Sequence, residues 1–245
     1  VHDTKFIKKI SNRRLGIGCD QVLIIEDILE SQNFKVTMYN SDGSETGACG
    51  NGTRCVADYL MKRDNLSFLN IQSISGNLKC TKTDNVVTVN MGEPKFDWKD
   101  IPLARQQNTQ KVLLDEFEAF CLSMGNPHAV IFMQNLHELE SLNLDVVGPR
   151  LEKNINFPEF TNIEFACVLE DKTIRMRVWE RGVGVTMACG SGACATLVAA
   201  FKINKSSKSN KIILDGGSLF VEWLNNGTVT LSGDTEKVYE GIIGN

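Results

Sequence analysis

Two cysteines stand in matching settings, one in each half of the chain. The pentads Ala-Cys-Gly-Asn-Gly at 48–52 and Ala-Cys-Gly-Ser-Gly at 188–192 carry Cys49 and Cys189. Each sits where a glycine-bearing turn gives way to a run of small and apolar residues long enough for a helix. Unpaired N–H groups and the positive dipole end at such a junction favour an anion, and so predict a thiolate of lowered pKa. Two thiols facing each other across a cleft suit one reaction. A thiolate on one side removes a proton from carbon, and a thiol on the other side returns one, inverting a stereocentre without a cofactor. The backbone N–H groups at Gly50, Asn51, Gly190 and Ser191 are placed to hold a carboxylate beside the developing carbanion, with glycine allowing close approach.

The elements that must position these thiols read the same way twice. The run 34–40 alternates, putting Phe34, Val36, Met38 and Asn40 on one face, and 174–180 does so with Ile174, Met176, Val178 and Glu180. Asn40 precedes Cys49 by nine residues, and Glu180 precedes Cys189 by nine. A polar residue ending an apolar face in both copies points into a pocket. Strand–turn–strand patterns follow each helix. The fold class is therefore α+β: two pseudo-symmetric domains, each a curved, mostly antiparallel sheet or barrel wrapped around a central helix. Both helices read as apolar on most sides, hence buried, with Cys55 and Cys194 facing the core. The expected domains are 1–105 and 106–234, with 92–110 as the linker and the strand-like tail 235–245 returning to the first domain. Within the second, 136–153 reads as helix interrupted at Gly148-Pro149. The turn Gly125-Asn126-Pro127-His128 aims Asn126 and His128 outward from a strand end.

The 245 residues carry a net charge of −4 with both signs mixed, which gives no support for nucleic-acid or membrane-surface binding. No apolar run reaches a membrane span, and no signal peptide is visible. Eight cysteines without a Cys-x-x-Cys, beside three histidines, argue against zinc. Cys80, Cys121 and Cys167 read as small buried hydrophobes in a reducing cytoplasm. The Gly16-Ile-Gly18 pair precedes a strand, so a dinucleotide site is rejected.

Five stretches, GIGCDQ (16–21), NSDGSETGACGNGTRC (40–55), GNPH (125–128), FTNIEF (160–165) and WERGVGVTMACGSGACA (179–195), resemble the diaminopimelate epimerases in order and content. That resemblance implies a cofactor-independent enzyme interconverting LL- and meso-diaminopimelate in bacterial lysine and peptidoglycan precursor synthesis, with no metal. It implies Cys49 and Cys189 as the acid/base pair. It implies Gln21, Asn40, Asn126, Asn162 and Arg181 around the substrate, Arg181 pairing a carboxylate. It further implies Glu180 accepting from an ammonium group, His128 supporting the cysteines, and Gly50-Asn51 and Gly190-Ser191 holding the reacting carboxylate; whether the chain forms a homodimer the sequence leaves open. The family's amino-terminal His-Gly-x-Gly-Asn-Asp-Phe motif does not occur in these 245 residues. The rival readings are a proline or hydroxyproline racemase, which resembles Cys-Gly-His at the first cysteine where this chain has Cys49-Gly50-Asn51, and a redox switch working through a Cys49–Cys189 disulfide.

Overall fold

The computed structural model describes residues 3–27, 32–47, 50–74 and 76–243. The chain divides into two compact units, the first Val1–Gly47, Gly52–Val89 and Gly233–Asn245, the second Ala48–Asn51 and Asn90–Ser232.

The first unit opens with α1 (Thr4–Ser11), capped by Asp3, whose carboxylate accepts from the Lys5 N–H at 3.0 Å. Then come β1 (Gln21–Asp27), β2 (Asn33–Asn40), β3 (Glu45–Thr46), α2 (Gly50–Asp64), β4 (Phe68–Ser73), β5 (Gly76–Thr83) and β6 (Val86–Asn90). The sheet order is β1-β2-β4-β5-β6, with β3 beside β2. All pairs are antiparallel except β2 with β4, the parallel pair that α2 bridges. Phe34, Val36 and Met38 are buried on one face of β2, as alternation requires.

α2 departs from expectation. Val56, Ala57, Leu60 and Met61 are buried, but Cys55 and Tyr59 are exposed. Polar residues at Arg54, Asp58, Lys62 and Arg63 leave the helix a single apolar face, so Cys55 points away from the core. Asp58 is nonetheless buried, and it binds Lys62 and Lys82, each at 2.7 Å. Burial alone would raise the Asp58 carboxyl. The two lysines, with a hydrogen bond from Thr235, outweigh burial and hold it below the usual carboxylate range. Thr235 thus ties the tail beside α2. Beyond it, 238–243 forms no strand, and Val238 and Ile242 are exposed: alternation without a paired edge makes no ladder.

The second unit contains β7 (Val112–Leu114), β8 (Phe117–Ser123), β9 (Pro127–Phe132), α3 (Leu136–Ser141), α4 (Leu144–Glu152), β10 (Asn162–Val168), β11 (Ile174–Glu180), β12 (Gly184–Val185), α5 (Gly190–Lys202), β13 (Ser209–Leu214), β14 (Gly217–Trp223) and β15 (Val229–Gly233). From β10 onward it repeats the first unit's topology. An antiparallel pair is followed by a short strand beside its second member, then a buried helix leads to a parallel neighbour and an antiparallel hairpin. The chain was duplicated at the level of connectivity, as the matched spacings imply.

α5 is buried from Gly190 to Ala200. Alternate residues of β11, β13, β14 and β15 (Met176, Ile212, Val221 and Leu231 among them) pack around it. Each fully buried Leu or Val contributes about 1.5–3 kcal/mol. The opposite face of β8–β10 packs through Cys121, Ile131, Ile163 and Phe165 against Leu139 of α3 and Leu151 of α4. Ile101 and Leu103 are buried in that second core, which is why 90–105 falls with the second unit. The helical stretch breaks at Leu142-Asn143, not at Gly148-Pro149. Asn143 caps α4 by accepting from the Asp145 N–H at 3.1 Å. Gly148 instead makes room for an indole: a Cβ there would fall 2.3 Å from Trp179 Cδ2. Among the described residues no helix is long and apolar enough to cross a membrane.

Candidate active site

Cys189 is the N-cap of α5, with extended backbone (φ −124, ψ 114). Its Sγ accepts from the Gly192 N–H at 3.4 Å and lies 3.6 Å from Ser191 Oγ. Gly192 has no alternative: an added Cβ would meet Glu164 Oε1 at 2.7 Å and Cys189 Sγ at 3.3 Å. The thiol does not behave as a helix terminus alone predicts. Burial pushes it well above the ordinary thiol range, and the nearby Glu180 and Glu164 carboxylates push the same way. Ser191 and Gly192 pull it down, but by less. Desolvation outweighs the dipole here and favours the thiol over the thiolate.

Four further residues continue from the sulfur. Asn126 Nδ2 donates to Ser191 Oγ at 3.3 Å, and Asn126 Oδ1 lies 3.0 Å from His128 Nε2. His128 Nδ1 lies 2.7 Å from Glu164 Oε1. Asn126 is half-buried, and His128 is wholly buried rather than turned outward. Pro127 already belongs to β9, which has β8 on one edge and β10 on the other, so His128 faces α5 alongside Val130. Glu164 was not anticipated. The available signal was a carboxylate inside an otherwise apolar strand, one alternation from Asn162.

The Glu180-Arg181 turn is held from below. Thr186 Oγ1 donates to Glu180 Oε1 at 2.5 Å. Burial still raises the Glu180 carboxyl, with the Glu164 charge adding to it. Asn162 accepts from the Arg181 N–H at 2.9 Å and donates to the Pro127 carbonyl at 2.8 Å. The exposed Arg181 guanidinium reaches the Glu159 carbonyl at 3.3 Å. Buried Glu152, also unanticipated, accepts from Trp179 Nε1 at 2.7 Å and from the Gly182 N–H at 2.8 Å. Nothing in the sequence of α4 marks that carboxylate.

From the first pentad, Cys49 lies outside the described residues. Gly50 and Asn51, which fall with the second unit, lie against the other pentad. A Cβ on Gly50 would sit 3.5 Å from Gly190 Cα, and one on Gly190 would sit 3.3 Å from Gly50 Cα and 2.9 Å from Leu231. Asn51 Nδ2 donates to the Ala188 carbonyl at 3.3 Å, and its Oδ1 is buried without a hydrogen-bond partner. Gln21 and Asn40 pair within the first unit, Nε2 to Oδ1 at 3.2 Å, directly opposite each other across β1 and β2. Asn40 also donates to Ser44 Oγ at 3.1 Å. Among the described residues no cluster of three or more His, Cys, Asp or Glu is arranged to hold a metal.

A protein-family model for diaminopimelate epimerase matches residues 1–97 and 120–238. Diaminopimelate epimerase of Rhodospirillum centenum is 41% identical over 243 residues, covering 97% of this chain and 82% of that one. The Acidiphilium cryptum protein of the same name is 42% identical over 238 residues, covering 95% and 84%. Among solved structures, a PhzC/PhzF phenazine-biosynthesis protein from Clostridium difficile superposes with a TM-score of 0.71 at 14% identity, covering 100% of this chain and 89% of that one. At that identity the likeness speaks for the fold alone. The family match and the identities above 40% over nearly the whole chain agree with the paired pentads: the chain belongs to the diaminopimelate epimerase family.

Proposed function

We propose that this protein interconverts LL- and meso-2,6-diaminopimelate by a two-base proton transfer between Cys49 and Cys189, without a cofactor. Its pathway is bacterial lysine and peptidoglycan precursor synthesis in the cytoplasm. The observation that carries the reading is Cys189 itself: a buried thiol capping a helix whose first turn abuts Gly50 of the other pentad. A protonated thiol is the half of the pair that delivers a proton. Cys49 is then the thiolate that removes one, and the roles exchange in the reverse direction.

The N–H groups of Gly50, Asn51, Gly190 and Ser191 hold the reacting carboxylate while negative charge builds on it. Glu180 accepts from the substrate ammonium, and Arg181 pairs the distal carboxylate bidentately. Gln21, Asn40 and Asn126 complete the substrate's surroundings. Asn162 contributes by fixing the backbone from which Arg181 extends, since its amide already bridges Pro127 and Arg181. His128 supports the thiols from behind Asn126. A homodimer is the proposed assembly.

The test is α-hydrogen exchange. Purified protein incubated with LL-diaminopimelate in D2O takes up one deuterium per inverted centre, read by mass spectrometry. Cys49→Ala and Cys189→Ala each abolish turnover. Full turnover in either variant sinks the two-base mechanism.

A further inference from the structure

The two-thiol reading gives Glu164 no task, yet its carboxylate is wholly buried and ends a line of hydrogen-bonding groups running to the Cys189 sulfur. The steps are 2.7 Å from Glu164 Oε1 to His128 Nδ1, 3.0 Å from Nε2 to Asn126, 3.3 Å from Asn126 to Ser191 and 3.6 Å from Ser191 to Sγ. All five residues belong to the second unit.

Energetics argue against a purely structural role. Glu164 Oε2 is buried without a hydrogen-bond partner, and a half-satisfied buried carboxylate costs stability rather than adding it. The His128 side chain is wholly buried too. With Asn126 Oδ1 assigned to the side facing it at 3.0 Å, Nε2 donates to that oxygen. One proton likewise lies between Nδ1 and Oε1. Glu164 therefore holds the imidazole in one orientation, with Nδ1 on the carboxylate and Nε2 directed at Asn126. The Asn126 side chain spans ring and hydroxyl, its Oδ1 on His128 and its Nδ2–H holding the Ser191 hydroxyl beside the sulfur.

We propose that Glu164 is a positioning residue: it sets the ring orientation and proton placement of His128 and, through Asn126 and Ser191, the orientation of the Cys189 thiol. This rests on the epimerase reading above. It is tested with Glu164→Leu, which removes the partner of Nδ1, and Glu164→Gln, whose amide still bonds it. Glu164→Leu lowers kcat by about ten- to hundredfold, the usual range for a group orienting a functional side chain. KM stays within about twofold, and the thermal midpoint does not fall. Glu164→Gln recovers most of the lost kcat. Nitrogen-15 spectra of the imidazoles show one slowly exchanging proton on the Nδ1 side of His128 in the wild type and none in Glu164→Leu.

Wild-type kcat in Glu164→Leu, or no recovery in Glu164→Gln, overturns the proposal. If neither variant folds, the wild-type spectrum decides, and a rapidly exchanging Nδ1 side overturns it. A wild-type protein that leaves diaminopimelate unchanged refutes the epimerase reading instead, while the ring spectrum still reports on Glu164.

Discussion

A cysteine at a helix N-terminus is usually read as an activated thiolate, and Cys189 reverses that reading through burial. Its sulfur has one backbone N–H and one hydroxyl to set against loss of water and two carboxylates. Alkylation follows the thiolate, so its rate profile exposes the difference. Iodoacetamide should modify Cys189 slowly near neutrality, and the rate should still be climbing above about pH 8.5, the ordinary thiol value. Peptide mass mapping against pH measures it, and a plateau reached near neutrality contradicts the assignment. At this scale the sequence was legible in residue type and spacing, and the fold brings Cys189, Ser191, Asn126 and His128 together, with His128 buried rather than turned outward. It was not legible in protonation, which depends on Glu180 and Glu164 arriving from two other strands. Nor did it reveal that Asn162 spends its amide on the backbone.

Among the elements, α4 and β11 are coupled through one indole. Trp179 packs on Gly148 and donates to Glu152, and Glu152 also holds Gly182 just past Glu180-Arg181. Gly148→Ala gains helix propensity of up to about 1 kcal/mol. It also drives a methyl into a rigid ring, an overpacking cost of about 1–3 kcal/mol. The net expectation is a lower thermal midpoint, altered tryptophan fluorescence and a reduced kcat/KM, because displacing Trp179 moves Glu180. Unchanged kcat/KM with shifted fluorescence would uncouple the indole from the site. The sequence marked Gly148-Pro149 as a break because glycine and proline usually punctuate helices. Here the nearby Asn143 cap restarts the helix first, and the glycine serves packing instead. β2 and β11, by contrast, were readable almost to the residue, since their two-residue alternation is a local property, whereas the alternating tail at 238–243 forms no strand. α2 was misread because its apolar residues were weighed without the charged ones between them.

At the scale of the whole molecule, stability is bounded by ionisation at both ends of the pH range. Asp58 has a lowered folded pKa, so its stabilisation is present above the unfolded value of about 3.9 and is lost as pH falls through the folded value. The buried thiols act oppositely. Cys80 is pushed up to about 12, and Cys121 and Cys189 are also raised. The unfolded chain releases those protons at about pH 8.5, so stability declines as pH rises past that value. Urea unfolding across pH should show both limbs. Asp58→Asn should cost about 1.5–3 kcal/mol at neutrality, the worth of hydrogen bonds to charged groups, and flatten the acid limb alone. An acid limb left intact would assign it to other carboxylates. The duplicated topology was the most legible feature of all, because a repeat declares itself without any knowledge of contacts. The unit boundary was harder to read: 92–110 looks like a linker in composition, and only the burial of Ile101 and Leu103 assigns it to the second unit.

The seamless apolar surface of α5 has a consequence for biosynthesis. The strands that enclose its last side, β13 to β15, are made after it, so a newly synthesised chain presents a greasy rod to the cell until some thirty further residues have emerged. Refolding yield should therefore fall with protein concentration, and a chaperone that shields exposed helices should restore it.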